Sequence, residues 1–283
     1  MKIKSIQAAP LKVVSSGFTT TDFNHLQSLW GERKQCSLEL ALNELMQVDQ
    51  RHELKVLSDE NIDLNTWLNE SFAQLMSLHA EHTQLGTAVC ASLWHKQLVE
   101  LIFPTLVALR WKYGIVPETD AKAIHLNIEP NGRINTIALE NQDSRALSDQ
   151  ALDKKLAEVV ANIGVQLEPI FAEQRVNRKR FWGNLSNALA QGFTRLSDHR
   201  QSGLSHDQSE TVEKWLFSIL GEKNSLVEIK STSNQSGHAL FARRKTCCLK
   251  YKLDKVRMCK TCSLMAIEEQ QQFYESKYAL KSA

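Results

Sequence analysis

Apolar residues recur at intervals of three and four along most of this chain, and two stretches switch to the alternation of a strand. Residues 37–46, SLELALNELM, set Leu38, Leu42 and Leu45 on one face behind Ser37, a good helix cap. Residues 65–82 repeat the pattern with Leu68, Phe72, Leu75 and Leu78. After Gly86, TAVCASLWHKQLVELIF is apolar on nearly every side, which predicts a central, buried helix that Pro104 kinks or ends. Residues 123–140 then alternate Ile124, Leu126 and Ile128 with Ile134, Thr136 and Ala138 around Pro130-Asn131-Gly132, a β-hairpin pattern. Helical spacing resumes over 148–164, opened by Ser148 and closed by Gly164, again over about 184–196, and over 209–220 up to Gly221. Residues 198–208 read as a loop, 225–230 as a short strand, and the polar 231–237, STSNQSG, as a break in structure.

The pattern predicts a predominantly helical α+β fold with a small antiparallel sheet or hairpin. It divides at the polar break into a mostly helical domain over 1–235 and a C-terminal segment over 236–283. With 283 residues, 42% hydrophobic and 23% charged, the composition is that of a soluble globular protein. The longest uncharged apolar run, 101–109, is well short of the roughly 20 residues that cross a bilayer. The N-terminal residues lack the apolar core of a signal peptide. Both point to the cytoplasm, with no transmembrane segment and at most a transient association with the inner membrane.

Charge changes the picture at one place. Between Arg243 and Lys260 there are eight basic residues and one acid, so this strip carries +7 within a chain of net +2. The same strip holds four of the six cysteines, in TCCLKYKLDKVRMCKTC over 246–262. Cytoplasmic thiols stay reduced, so clustered ones read as metal ligands before disulfides. Cys247, Cys248, Cys259 and Cys262 form C-C-x10-C-x2-C. The C-x2-C half is common to tetrathiolate sites, whereas adjacent cysteines tend to point apart and suit a two-metal cluster better than one zinc ion. A [2Fe–2S] centre with four thiolates is anionic and gains from cations and backbone donors around it. A helix beginning at Ser263 would point its positive end at Cys262. Cys36 and Cys90 lie in apolar helical patterns and read as buried small hydrophobes. His79 and His82 share a helical face without a matching partner, and Trp182 and Asn184 read as packing and helix-start residues.

The cysteine motif, with ARRKTCCLKY around it, RKRFWGNLSNAL at 178–189 and the apolar stretch at 90–111, resembles the FhuF-like ferric-siderophore reductases. That resemblance implies a [2Fe–2S] cluster on Cys247, Cys248, Cys259 and Cys262, and a one-electron reduction of an Fe(III)–siderophore. Hydroxamate and other hard oxygen donors hold Fe(II) far less well than Fe(III), so one electron releases the metal. No G-x-G-x-x-G or P-loop is present, and an external donor is therefore expected, a ferredoxin or a separate NAD(P)H-dependent reductase. Arg243, Arg244 and Lys260, each within four residues of a ligand cysteine, are the substrate-side candidates on an expected monomer. Two alternatives stay open on the residues alone. One is an iron–sulfur redox or iron sensor. The other is a zinc module whose basic strip binds nucleic acid, although Tyr251 alone supplies an aromatic there.

Overall fold

The structure, a computed structural model, describes residues 18–52, 54–57, 62–129, 131–140, 147–197, 207–234, 237–253 and 258–279. Within them the fold is mostly helical α+β. The elements run α1 (Thr20–Trp30), α2 (Leu38–Val48), β1 (Leu54–Val56), β2 (Ile62–Asp63), α3 (Leu64–Glu70), α4 (Phe72–Thr83) and α5 (Thr87–Ala108). Next come β3 (Ile124–Ile128), β4 (Ile134–Leu139), α6 (Asp149–Glu173), α7 (Arg178–Ser197) and α8 (Asp207–Leu220). The chain then continues through β5 (Val227–Asn234), β6 (Gly237–Arg244) and α9 (Ile267–Ala279).

Helix α5 is the axis of the core, as its all-round apolar character predicts. Leu98, Val99, Ile102, Phe103 and Leu106 have no exposed surface. The Trp94 ring stacks on Trp67 at 4.9 Å between centroids, with Phe72 tilted against it at 5.2 Å. Pro104 does not end this helix, which runs on to Ala108 and into a π-helical turn at Leu109–Tyr113. A proline cannot donate to the carbonyl four residues back, here that of Glu100. The guanidinium of Arg195 on α7 donates to that oxygen at 2.9 Å, so the gap in the ladder is filled from the neighbouring helix.

The expected hairpin is present as β3–β4, antiparallel with Ile124 opposite Leu139 and Leu126 opposite Ile137. The sheet around it is mixed, not purely antiparallel. Its order is β1-β4-β3-β2, with β1 parallel to β4. A parallel pair needs a long crossover, and the helices α3 to α5 lie on that path. His79 spends its ring on this hairpin, with Nε2 at 2.6 Å from the Asn131 carbonyl. Pro130, the turn residue, lies outside the described residues, as do 198–206 of the expected loop.

Three boundaries differ from the pattern. Helix α6 passes Gly164 and Pro169 and ends at Glu173, and α7 begins at Arg178, six residues ahead of Asn184. The glycine at 164 is needed for close approach and not for termination, since a β-carbon there would run into the Trp182 ring. The polar residues at 231–234 extend β5 instead of breaking it. Ser231 pairs with Leu240 and Thr232 with Ala239, while the Thr232 hydroxyl donates to Glu275 Oε1 of α9 at 3.0 Å. Residues 235 and 236, between these paired strands, lie outside the described residues.

The contact at Gly164 gives a direct check. Gly164→Ala forces the Trp182 ring to move and is expected to cost about 1–3 kcal/mol, as overpacked cores do. Thermal unfolding followed by circular dichroism reads this as a fall of Tm by several degrees; an unchanged Tm contradicts the packing described.

Candidate metal centre

The thiol segment leaves β6 at Arg244 and is laid across the N-terminal ends of α5 and α7. Four contacts hold it there. Arg180 Nε donates to the Cys247 carbonyl at 3.1 Å, and Ser92 Oγ donates to the Cys248 carbonyl at 3.2 Å. Arg244 Nη2 donates to Asn184 Oδ1 in a buried bond. Gly183 leaves the room that Thr246 fills, because a β-carbon at 183 would collide with the Thr246 side chain. Arg180, Gly183 and Asn184, spaced three and four residues apart, are therefore a dock built from one face of α7.

Local chain geometry then aims the sulfurs. Leu249 takes a left-handed conformation, φ +70°, which turns its N–H back to Cys247 Sγ at 3.3 Å. A second turn brings Cys262 N–H to the Cys259 carbonyl at 2.9 Å, and Leu264 N–H reaches Cys262 Sγ at 3.5 Å. Helix α9 begins at Ile267 and not at Ser263; the Cys262 carbonyl accepts from the buried Gln270 Nε2 at 2.8 Å. Phe241 of β6 stacks on Tyr274 of α9 at 4.7 Å and fixes that helix to the hairpin.

Of the four thiols, Cys248 and Cys262 are buried and Cys247 and Cys259 half-buried; none forms a disulfide. Cys248 Sγ stands 3.6 Å from Cys259 Sγ. Cys247 lies close enough to both Cys262 and Cys248 to feel them. The shared proton of the Cys248–Cys259 pair holds the Cys248 thiol well below the usual range, with the Arg244 charge and the Lys250 N–H helping. The same contact pushes Cys259 up. Burial raises Cys247, against the pull of the Leu249 N–H. No group of three or more His, Cys, Asp or Glu side chains among the described residues is arranged to hold a metal ion as it stands. Cys36 is half-buried and Cys90 buried, with Thr83 Oγ1 at 3.7 Å from the Cys90 sulfur.

The basic strip divides into different environments. Arg244, expected on the substrate side, is fully buried, and its Nε and Nη1 have no partner among the described residues. The same holds for the Thr246 hydroxyl. Arg243 is half-buried and lies 3.8 Å from Glu228, which also takes Lys245 at 3.3 Å. Lys260 is exposed, its ammonium 3.6 Å over the Phe273 ring. Asp254, Lys255 and Arg257 lie outside the described residues. An open cleft of about 670 Å³ between the 118–123 loop and α6, lined by Glu118, Lys122, Glu140 and Lys155 among others, includes no residue of the thiol segment.

Beneath Arg244, His95 is wholly enclosed and stacked on Phe181 at 4.2 Å. Asn184 accepts from Arg244, so its Nδ2 is the donor to Ser92 O at 3.1 Å and to His95 Nδ1 at 3.2 Å. Burial, with the Arg244 charge, drops His95 to about 3, and the imidazole stays neutral. Sequence reasoning gave Ser92, His95 and Arg180 no role and treated Asn184 as a helix start. The RKRFWGNL run was the signal that could have found part of this dock.

Residues 92–231 match the family described as "Ferric iron reductase FhuF-like transporter". This part of the chain is similar to the FhuF-like family. The matched segment covers just under half of the chain and opens at Ser92. It contains Ser92, His95, Arg180, Gly183 and Asn184, the whole floor on which the thiols rest, and it stops short of the cysteines themselves. No curated protein matches the chain. The family name is that of ferric iron reductases, which indicates an oxidoreductase acting on iron. No helix among the described residues is long and apolar enough to cross a membrane.

Neutral His95 links this floor to pH. An unfolded histidine titrates near 6.5, whereas the folded one titrates near 3. Between those values the unfolded chain binds one proton more, so stability falls as pH falls through that window, by up to about 1.4 kcal/mol per pH unit. His95→Gln is expected to flatten the slope of unfolding free energy between pH 6.5 and 3.5 by close to one proton. Denaturant titrations at a series of pH values measure it, and an identical slope in the variant contradicts a buried neutral His95.

Proposed function

We propose that the protein is a ferric-siderophore reductase that passes one electron to Fe(III) in a siderophore complex, of hydroxamate type, and releases Fe(II) in the cytoplasm. The observation that carries this reading is the Cys248–Cys259 pair at 3.6 Å beside the unpartnered buried donors of Arg244 and Thr246, in a chain similar over residues 92–231 to a ferric iron reductase family. Two sulfurs each about 2.3 Å from one tetrahedral metal stand about 3.7 Å apart, so this pair needs little movement to share an ion. With Cys247 close enough to Cys262 and Cys248 to feel both, the four thiols make a donor set that suits a [2Fe–2S] centre. Orphaned donors beside them suit an anionic group. When bound, such a cluster supplies a one-electron carrier of net charge about −2 in its oxidised form.

The chain's own residues do the rest. The N–H groups of Leu249 and Leu264 meet the Cys247 and Cys262 sulfurs at 3.3 and 3.5 Å and orient them. The segment 236–283 carries the thiols, and the body over 1–235 holds them and offers the surface that a ferric complex approaches. Arg243 and Lys260 stand on that approach as substrate-side cations; buried Arg244 does not. One electron enters from an external donor, a ferredoxin or an NAD(P)H-dependent reductase, and one leaves to Fe(III), which becomes Fe(II) and loosens from its hard oxygen ligands. The chain acts as a monomer.

Anaerobically purified protein is expected to be red-brown, with iron and sulfide in equal amounts, and to reduce Fe(III) complexes under single turnover. Serine at position 247, 248, 259 or 262 is expected to abolish or strongly perturb the visible spectrum, while Cys36→Ser and Cys90→Ser leave it intact. A colourless protein containing zinc, or a cluster that survives in all four single variants, rejects the assignment.

A further inference from the structure

We infer that Arg244 is a positioning residue that sets the electron affinity of the metal centre as a fixed buried charge, with Asn184 holding it in place; this rests on the iron–sulfur reading above. Arg244 has no exposed surface and so cannot meet a ferric complex in solution. Its backbone N–H donates to the Thr261 carbonyl at 3.0 Å, inside the turn between Cys259 and Cys262. Its side chain runs the other way, to Asn184, which donates to Ser92 O, while Ser92 Oγ donates to the carbonyl of Cys248. The guanidinium is thus enclosed between the second cysteine turn, the first cysteine pair and helices α5 and α7.

Its charge has no counter-ion there. No carboxylate among the described residues lies within ion-pair distance of Arg244. Glu100 is close enough to feel its field but is already paired with Lys96 and accepts from Gln191 Nε2 at 2.7 Å. His95, in contact with the same Asn184, is neutral and adds no second charge. A buried, unpaired cation is strongly unfavourable unless an anion stands beside it. Thiolates around a metal are such an anion, and an electron added to them gains further from a positive charge in a medium that screens it poorly. Lys260 differs in kind. It is exposed, water and salt screen it, and it lies over Phe273. The charge that raises the potential is therefore the one the solvent cannot reach.

The test is a redox titration of the full-length, cluster-loaded protein followed by visible absorption, with iron and sulfide measured in each sample. Asn184→Asp places a carboxylate against the guanidinium in almost the same volume and cancels its charge; Arg244→Gln removes the charge; Arg244→Lys keeps it. At the wild-type midpoint, the ratio of reduced to oxidised protein is expected to fall tenfold or more in Asn184→Asp and Arg244→Gln, about 59 mV for one electron. Arg244→Lys and Lys260→Ala are expected to stay within a few-fold of wild type. Loaded Asn184→Asp or Arg244→Gln with the wild-type midpoint overturns the inference. Wild type alone gives a second reading that needs no variant to fold. Its midpoint is expected to hold between low and high salt, and a steep fall with salt assigns the tuning to exposed lysines instead. Wild-type protein without iron and sulfide rejects the cluster reading itself, an outcome separate from a loaded protein whose potential ignores Arg244.

Discussion

One buried hydrogen bond, from the Arg244 guanidinium to the Asn184 amide, joins the two parts of this molecule on which everything else depends. It ties the end of β6 to the second turn of α7, and the segment that carries the four cysteines hangs from that tie. A hydrogen bond to a charged group contributes about 1.5–3 kcal/mol. Its greater importance is geometric. Asn184 has both faces of its amide engaged, so it cannot rotate to accept from anything else, and Ser92 transmits the same constraint to the Cys248 carbonyl.

That dock is only as firm as the helices beneath it. Helix α7 can lie against α5 because the carbonyl stranded by Pro104 is met by Arg195 and Gly192 leaves room for Val107, and against α6 because Gly164 receives the indole that precedes Gly183. Trp182 also fixes its own nitrogen to Glu168 Oε2 at 2.8 Å and lies under the Lys223 ammonium at 3.6 Å. The aromatic packing of Trp94, Phe171 and Phe181 continues from there to His95. The electron-carrying centre proposed above would benefit from surroundings that do not have to reorganise, and a close-packed floor is one way to provide them.

Much of this was legible in the residue pattern. Helical spacing and apolar content identified α5 as the central helix, and alternation around Asn131-Gly132 identified the β3–β4 hairpin. What was not legible depends on distant partners. Gly164 and Pro104 look like helix stops until Trp182 and Arg195 are brought against them. The polar run at 231–234 looks like a break until α9 supplies Glu275 to Thr232. The parallel pairing of β1 with β4 leaves no local trace, because three residues, Leu54 to Val56, carry too little pattern. Spacing grouped the four cysteines but did not sort the cations among them. Arg243, Arg244 and Lys260 look alike along the chain, yet one is half-buried beside Glu228, one fully buried and one exposed, since a strand alternates its faces and a turn does not.

The arrangement of dock and thiols also orders events during synthesis. Ser92, Arg180, Gly183 and Asn184 all precede Cys247 by more than sixty residues. At roughly 5–20 residues per second, α5 and α7 leave the ribosome several seconds before Cys247 does. The helical floor can therefore fold before any thiol of the 247–262 segment exists, and that segment emerges onto a surface already shaped to receive it. Free, clustered thiols are exposed to oxidation and to stray metals only for the interval between their emergence and their docking. Placing the thiols after the floor keeps that interval short.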